Sequence, residues 1–320
     1  MIERLMENAA QFLLLLVLSP LVTGVIRTLK ARLQTRRGPG ILQPYRDLRK
    51  LFSKGIVIPE TASWIFTATP WVVFFSTILA GLMIPMVAAE APLGLFGGVL
   101  AVIYLLGLGR FFLALSGIDS GSSFGGLGSS REMTISALAE PAMMLAIFTV
   151  AIGAGSTGLT EIAGAAIGIA GAAIGQNWRF LAPSQMFAFA ALSLVLIAET
   201  GRIPVDNPDT HLELTMIHEA MILEYSGPYL ALLEWAASIK QLVLMTLLIN
   251  CFWPFGLQPT WFGFGAVEGI CWLLAKLLLL SCAIVLLETV NAKMRLFRVP
   301  EMLAVAFTLG SLALISTFLF

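Results

Sequence analysis

Charge is what this sequence has least of. Only 12% of its 320 residues are Asp, Glu, Lys or Arg, and 58% are hydrophobic. A soluble domain carries roughly 25% charged residues, so this composition cannot cover a water-facing surface. The 19 basic and 19 acidic residues cancel, which leaves no net charge to hold nucleic acid. Cysteine is also scarce: Cys251, Cys271 and Cys282 lie far apart in apolar stretches. Without C-x-x-C spacing they make no disulfide framework, zinc site or self-contained iron–sulfur cluster, and they are expected to be small buried hydrophobes. The only histidines are His211 and His218. H-E-x-x-H is absent, so no metal site is expected. The Gly/Ser-rich segment Gly117–Ser130 has neither a G-x-x-x-x-G-K-[ST] pattern nor a preceding strand, and it reads as a close-packed loop. No basic region precedes the first apolar run and no A-x-A-like site follows it, so that run reads as a span rather than a removable signal.

What the sequence has is long apolar runs. About 20 such residues cross the hydrocarbon as a helix, with every backbone group paired internally. Segments 9–29, 64–88, 93–115, 133–153, 182–198, 228–252, 267–289 and 302–319 meet that length. The expected fold is therefore all-α, a polytopic membrane protein of about eight transmembrane helices forming a single integral domain over 1–320. The uncharged stretch Ala163–Gly175 is short and rich in glycine, and it reads as extramembrane or partly inserted.

Where the charges sit supports eight crossings. The loop 30–60 holds Lys30, Arg32, Arg36, Arg37, Arg46, Arg49, Lys50 and Lys54. Eight spans put this loop on the same side as Arg131, Arg202, Lys293, Arg295 and Arg298, leaving Arg4 and Arg179 opposite. The positive-inside rule makes the rich side cytoplasmic and puts both termini outside. Within that loop Ile41, Leu42, Tyr45, Leu48 and Phe52 recur at helical spacing between charges, and Pro44 suits a first turn. The pattern predicts an amphipathic helix in the membrane interface.

Ionisable residues inside spans are costly and point to function. Glu140, Glu234, Lys240 and Lys276 stand out. Glu140 is expected about two turns into its span, before Pro141, which weakens the helix ladder. Glu234 and Lys240 are six apart and off a common face, so their partners belong to other helices. Arg110 and Glu288, near span ends, are expected to reach water by snorkelling. The acidic loop 199–227 gathers Glu199, Asp206, Asp209, Glu213, Glu219 and Glu224 around Arg202 and both histidines. Carboxylates crowded at a membrane boundary titrate as a coupled set, a means of passing protons or sensing a nearby charge. Leu212, Leu214, Met216, Ile217 and Met221 make the loop apolar enough to be covered by protein.

Three ordered segments carry a resemblance: R-R-G-P-G-I-L-Q-P-Y-R-D-L-R-K-L-F in the first loop, S-R-E-M-T-I-S-A-L-A-E-P in the fourth span, and A-E-T-G-R-I-P-V-D with L-E-L and L-E-Y in the acidic loop. Together they resemble the eight-helix membrane subunit joining the two arms of respiratory complex I. The G-I-D-S-G-S-S-F-G-G-L-G-S-S-R-E stretch is similar to the branch found in membrane-bound [NiFe] hydrogenases of the formate hydrogenlyase and hydrogenase-4 type. The resemblance implies a non-catalytic subunit of an oxidoreductase complex in a prokaryotic cytoplasmic membrane, anchoring and coupling protons or other ions. It implies no cofactor on this chain, and iron–sulfur clusters and a [NiFe] centre in partners. Those partners would be hydrogenase large and small subunits, iron–sulfur proteins and antiporter-like membrane subunits. It assigns proton coupling to Glu140, Glu199, Asp206, Glu213 and Glu224, with Asp209, Glu219, Glu234, Lys240 and Lys276 added from their placement. Arg36, Arg37, Arg46, Arg49, Arg202 and Tyr225 are expected at the junction with partners. The quinone-reducing branch carries more acids after I-P-V-D, where His211 stands here. A quinone pocket entered past the amphipathic helix and Arg37 is the alternative. A stand-alone ion transporter ranks below it, since no internal repeat is visible.

Overall fold

The computed structural model describes residues 2–94, 98–164, 182–206, 216–253, 255–258 and 264–319. Its regular structure is helical, apart from one isolated bridge between Ala88 and Gln258. The helices, in chain order, are α1 (Ile2–Leu33), α2 (Gln43–Phe52), α3 (Trp64–Leu82), α4 (Val99–Asp119), α5 (Ser123–Ala154), α6 (Pro183–Glu199), α7 (His218–Ile222), α8 (Gly227–Phe252), α9 (Phe264–Val290) and α10 (Val299–Leu319). Seven are long and apolar enough to cross a membrane, and α6 is a shorter apolar helix. These eight match the eight expected spans. Of the stretch Ala163–Gly175, residues from 165 onward lie outside the described residues.

The long helices do not bury one face, as soluble helices do; they are apolar all round, and packing decides which side meets protein. Helix α8 runs through the middle against α1, α3 and α6, while α3 pairs with α4 and α10 packs on α5 and α6. Helix α9 leans on α1 from outside. This arrangement corrects the reading of the cysteines. Cys251 is buried, but Cys271 is exposed and Cys282 half-buried. In lipid an outward face is as apolar as a core, so apolar context alone does not place a side chain inside.

The Gly/Ser segment is a second correction. Rather than forming a loop, it continues as helix from Ser123 straight into the span. Glycine disfavours helix by about 1 kcal/mol against alanine, but here it lets α4 and α5 meet backbone to backbone. A Cβ at Gly125 would collide with the Gly117 carbonyl oxygen, and one at Gly117 with Ser129 Oγ. Because α5 starts ten residues before the expected span, Glu140 lies well inside the helix rather than two turns in.

Helix α2 has the expected amphipathic character, with Pro44 and Leu48 buried and Arg46, Arg49 and Lys50 exposed. It sits tightly on α1, where a Cβ at Gly24 would collide with the Ile41 carbonyl oxygen. Tyr45 donates its hydroxyl to the Val17 carbonyl, and Phe52 meets Trp235 of α8 edge-on.

The chain connections sort onto two poles. At one, Lys30 meets Glu288, Lys293 meets Asp206, Val57 donates its amide to Ser226, and Arg131 donates to the Met216 carbonyl. At the other, Ala89 donates to Gln258, and Val99 to Thr157. The cation-rich segments thus share one end of the bundle.

Candidate functional site: a buried ion ladder beside a cavity

The centre of the bundle holds a chain of charges from four helices. Arg110 of α4 is only 5% exposed. Its Nη1 donates to Glu199 Oε1 of α6 at 2.5 Å and to Ser136 Oγ of α5 at 2.9 Å. Its Nη2 lies 3.0 Å from Glu140 Oε1 of α5, without the alignment of a hydrogen bond. The second oxygen of Glu199 takes Lys240 Nζ of α8 at 2.9 Å. The order is Glu140, Arg110, Glu199, Lys240. Glu199 is almost wholly enclosed, whereas the side chain of Glu140 is 38% exposed, so the ladder runs from the interior to one flank. Alternating signs keep each buried charge next to an opposite one, which makes such burial tolerable.

A second cluster lies one residue along α8. Gln241 Oε1 accepts from Arg202 Nη2 at 2.8 Å and from Thr23 Oγ1 at 3.4 Å. Arg202 Nη1 lies 3.2 Å from Glu288 Oε1, and Lys30 Nζ lies 3.2 Å from Glu288 Oε2. One buried carboxylate of α9 therefore joins α1 to the turn after α6. Asp206 carries the third cluster: it binds Lys293 Nζ at 2.9 Å and accepts from the Ile217 amide at 3.1 Å, which fixes the start of α7.

Beside these charges opens a cavity of about 430 Å³. Its apolar wall includes Val73, Leu106 and Leu113, and its polar wall includes Arg27, Asp47, Arg110, Glu199, His218, Glu234 and Lys240. The cavity therefore reaches from α2 to the inner end of the ladder. Burial lowers the pKa of the His218 imidazole, with Glu132 and other carboxylates pulling the other way. Burial pushes the Tyr225 phenol up to about 12. Among the described residues no group of three or more His, Cys, Asp or Glu side chains is placed to hold a metal ion.

The sequence-predicted residues separate clearly. Glu140, Glu199 and Lys240 share the ladder; Asp206 stands beside it; Glu219 and Glu234 line the cavity. Lys240 does find its partner on another helix. Lys276 stands apart, its ammonium directed to the Phe255 carbonyl. Asp209, His211 and Glu213 lie outside the described residues, and Glu224 is exposed. Of the residues expected at the junction, Arg36, Arg37, Arg46 and Arg49 are exposed. Arg202 instead turns into the bundle toward Glu288 and Gln241. Tyr225 is buried, stacked on Phe66 with ring centroids 4.0 Å apart and bonded to the Phe66 carbonyl and to Ser116, so it cannot face a partner. Arg37 does not line the cavity; Arg27 does. Arg110 and Glu288, expected to snorkel, are instead buried and each meets two oppositely charged side chains. Helix α4 continues to Asp119, more than two turns beyond Arg110, which keeps the guanidinium inside the bundle.

The chain matches the family described as NADH dehydrogenase over residues 7–319. It is 35% identical to hydrogenase-4 component C of Escherichia coli (strain K12), over 95% of this chain and 93% of that protein. It is 32% identical to formate hydrogenlyase subunit 4 of the same organism, over 96% of each chain. A subunit of the NADH-quinone oxidoreductase of Rhodospirillum rubrum is 30% identical over 81% of this chain and 76% of its own length. Among solved structures, a chain of the membrane-bound sulfane sulfur reductase, an archaeal respiratory membrane complex, superposes with a TM-score of 0.81 at 20% identity, covering 98% of this chain and 99% of that one. With the match spanning nearly every residue, the chain belongs to the NADH dehydrogenase family, alongside hydrogenase-4 component C, formate hydrogenlyase subunit 4 and the related subunit of NADH-quinone oxidoreductase.

Proposed function

We propose that this chain is the membrane junction subunit of a complex I-like, membrane-bound [NiFe] hydrogenase of the formate hydrogenlyase or hydrogenase-4 type. Its similarity to a hydrogenase component and to a formate hydrogenlyase subunit supports a part in a larger assembly. On this reading the catalytic iron–sulfur and [NiFe] centres belong to soluble partners, and antiporter-like subunits adjoin in the membrane. The cation-rich pole faces the cytoplasm by the positive-inside rule, so both termini lie outside. The exposed Arg36, Arg37, Arg46 and Arg49 on that pole are then the groups that meet the soluble arm.

One observation carries the coupling role: the ladder from Lys240 and Glu199 through Arg110 to the half-exposed Glu140. Alternating charges in a low-dielectric interior interact strongly, so a change at the cavity end alters the balance at the other. The flank at Glu140 is where a neighbouring membrane subunit receives the signal. The test is replacement of Glu140, and separately Glu213, by Gln in membranes carrying the assembled complex. Ion translocation should fall several-fold per electron pair, while hydrogenase chemistry with an artificial donor continues. Full translocation in both variants would remove the coupling role.

The cavity favours a second reading, a junction subunit of a quinone oxidoreductase. Apolar Val73, Leu106 and Leu113 facing Arg27 and Asp47 form a space suited to an apolar ring bearing polar oxygens. A quinone-analogue inhibitor competing at Arg27 would support it over the first.

A further inference from the structure

Helix α7 is only five residues long, yet it is pinned at three points. Arg131 of α5 donates to the Met216 carbonyl just before it at 2.8 Å. The Ile217 amide donates to Asp206 at 3.1 Å. Gly128 of α5 lets the backbone come close, since a Cβ there would lie 2.8 Å from Ala220 Cβ and 3.0 Å from the Ile217 carbonyl oxygen. Glu132 follows Gly128 by four residues and so shares its face, the one turned to α7. This carboxylate is buried, 8% exposed, and among the described residues it makes no ion pair. Its electrostatic neighbours are Arg110 of the ladder and His218 at the start of α7. His218 in turn lines the cavity.

We propose that His218 and Glu132 form a proton-exchange pair that connects the cavity to the ladder. This rests on the coupling role proposed above and names the groups through which that role is loaded. The imidazole nitrogen takes a proton from water or a donor group in the cavity and becomes an imidazolium, and Glu132 stabilises the new charge. That charge arises near Glu199 and Lys240, so it competes with Lys240 for the Glu199 carboxylate and disturbs the ladder at its inner end. No other step is needed: one N–H bond forms, and returning the proton restores the ladder.

The surroundings of His218 set the direction of its pH response. Its own helix brings Glu219, α5 brings Glu132 and Arg131, and α4 brings Arg110. Glu199 comes from α6, Lys240 from α8, and Asp206 from the loop after α6, paired with Lys293 from the connection after α9. Burial favours the neutral ring, so protonation falls below the usual histidine range, and Glu132 opposes that shift. Removing the Glu132 charge therefore moves protonation to still lower pH.

The experiment measures ions translocated per electron pair, against pH, in vesicles carrying the assembled complex. His218→Gln should abolish the pH-dependent flank on the acid side. Glu132→Gln should move that flank to lower pH, and the double variant should behave as His218→Gln alone. If either single variant only rescales the profile and leaves the flank in place, the pair is a packing feature and the proposal is overturned. Glu140→Gln separates the two readings. Loss of translocation in Glu140→Gln with an unmoved flank in the His218 and Glu132 variants removes only this pair. No loss in Glu140→Gln removes the coupling role itself.

Discussion

Two lysines, Lys240 and Lys276, sit mid-helix in apolar sequences of nearly the same character, and they have different fates. Lys240 lies on α8, most of which is buried inside the protein, and it closes the ladder on Glu199. Lys276 lies on α9, most of which is exposed or half-buried, and its ammonium reaches back to a loop carbonyl at Phe255. An ammonium surrounded by helices is retained by a counter-ion from another helix, while one at the rim escapes along its own flexible stem toward the interface. Expense in the membrane therefore flags both positions, but only the helix's place in the bundle separates a charge paired with another helix from one that is not.

The sharpest way to break this comparison is at the carboxylate that Lys240 serves. Glu199→Ala leaves two buried cations, Arg110 and Lys240, without their shared partner. Breaking a buried pair costs about 3–5 kcal/mol, so the complex should accumulate poorly and unfold at distinctly lower denaturant in detergent titrations. Lys240→Met retains Arg110 on Glu199 and loses one charged hydrogen bond. A loss of about 1.5–3 kcal/mol is expected, read from the same titration, together with reduced translocation in vesicles. Between the extremes, Gly24→Val forces a side chain into the Ile41 carbonyl and should cost about 1–3 kcal/mol; limited proteolysis should then cut near α2 faster. The smallest effect belongs to Lys276→Met: a shift within about 0.5 kcal/mol, with coupling kept. A loss of translocation there as large as at Lys240 would erase the distinction between the two lysines.

How far the sequence reveals this depends on what kind of physics acts. Spans are legible because the bilayer demands a fixed apolar length, and all eight runs are helices in the structure. Glu140, Glu199 and Lys240 are legible for the same reason, as charges where charges are costly. Arg110 and Glu288 are not, because both stand near the ends of their expected spans, where a charged side chain can reach water as readily as a partner. Only the packing of the neighbouring helices brings Glu199 to one and Lys30 and Arg202 to the other. Glu132 sits one residue before its expected span and goes unnoticed beside the Gly/Ser segment. That segment illustrates the remaining gap: glycine's poor helix propensity is a local property, and the close approach of Gly117 and Gly125 is a tertiary one. Nor could periodicity foretell that Tyr225 stacks inward on Phe66, since an aromatic at a loop edge is as compatible with a docking surface as with a core.

The carboxylate of Glu288 gives the bundle a schedule as well as a shape. Lys30 and Arg202 both lean on it, yet it is synthesised near the end of the chain. During insertion the earlier helices enter the bilayer before their common clasp exists. A chain that stalls before α9 would lack the anion that both cations share, and it would present the basic end of its first helix in an arrangement unlike the finished one. The cation-rich end of the bundle is therefore completed late, when the penultimate helix brings Glu288 to Lys30 and Arg202.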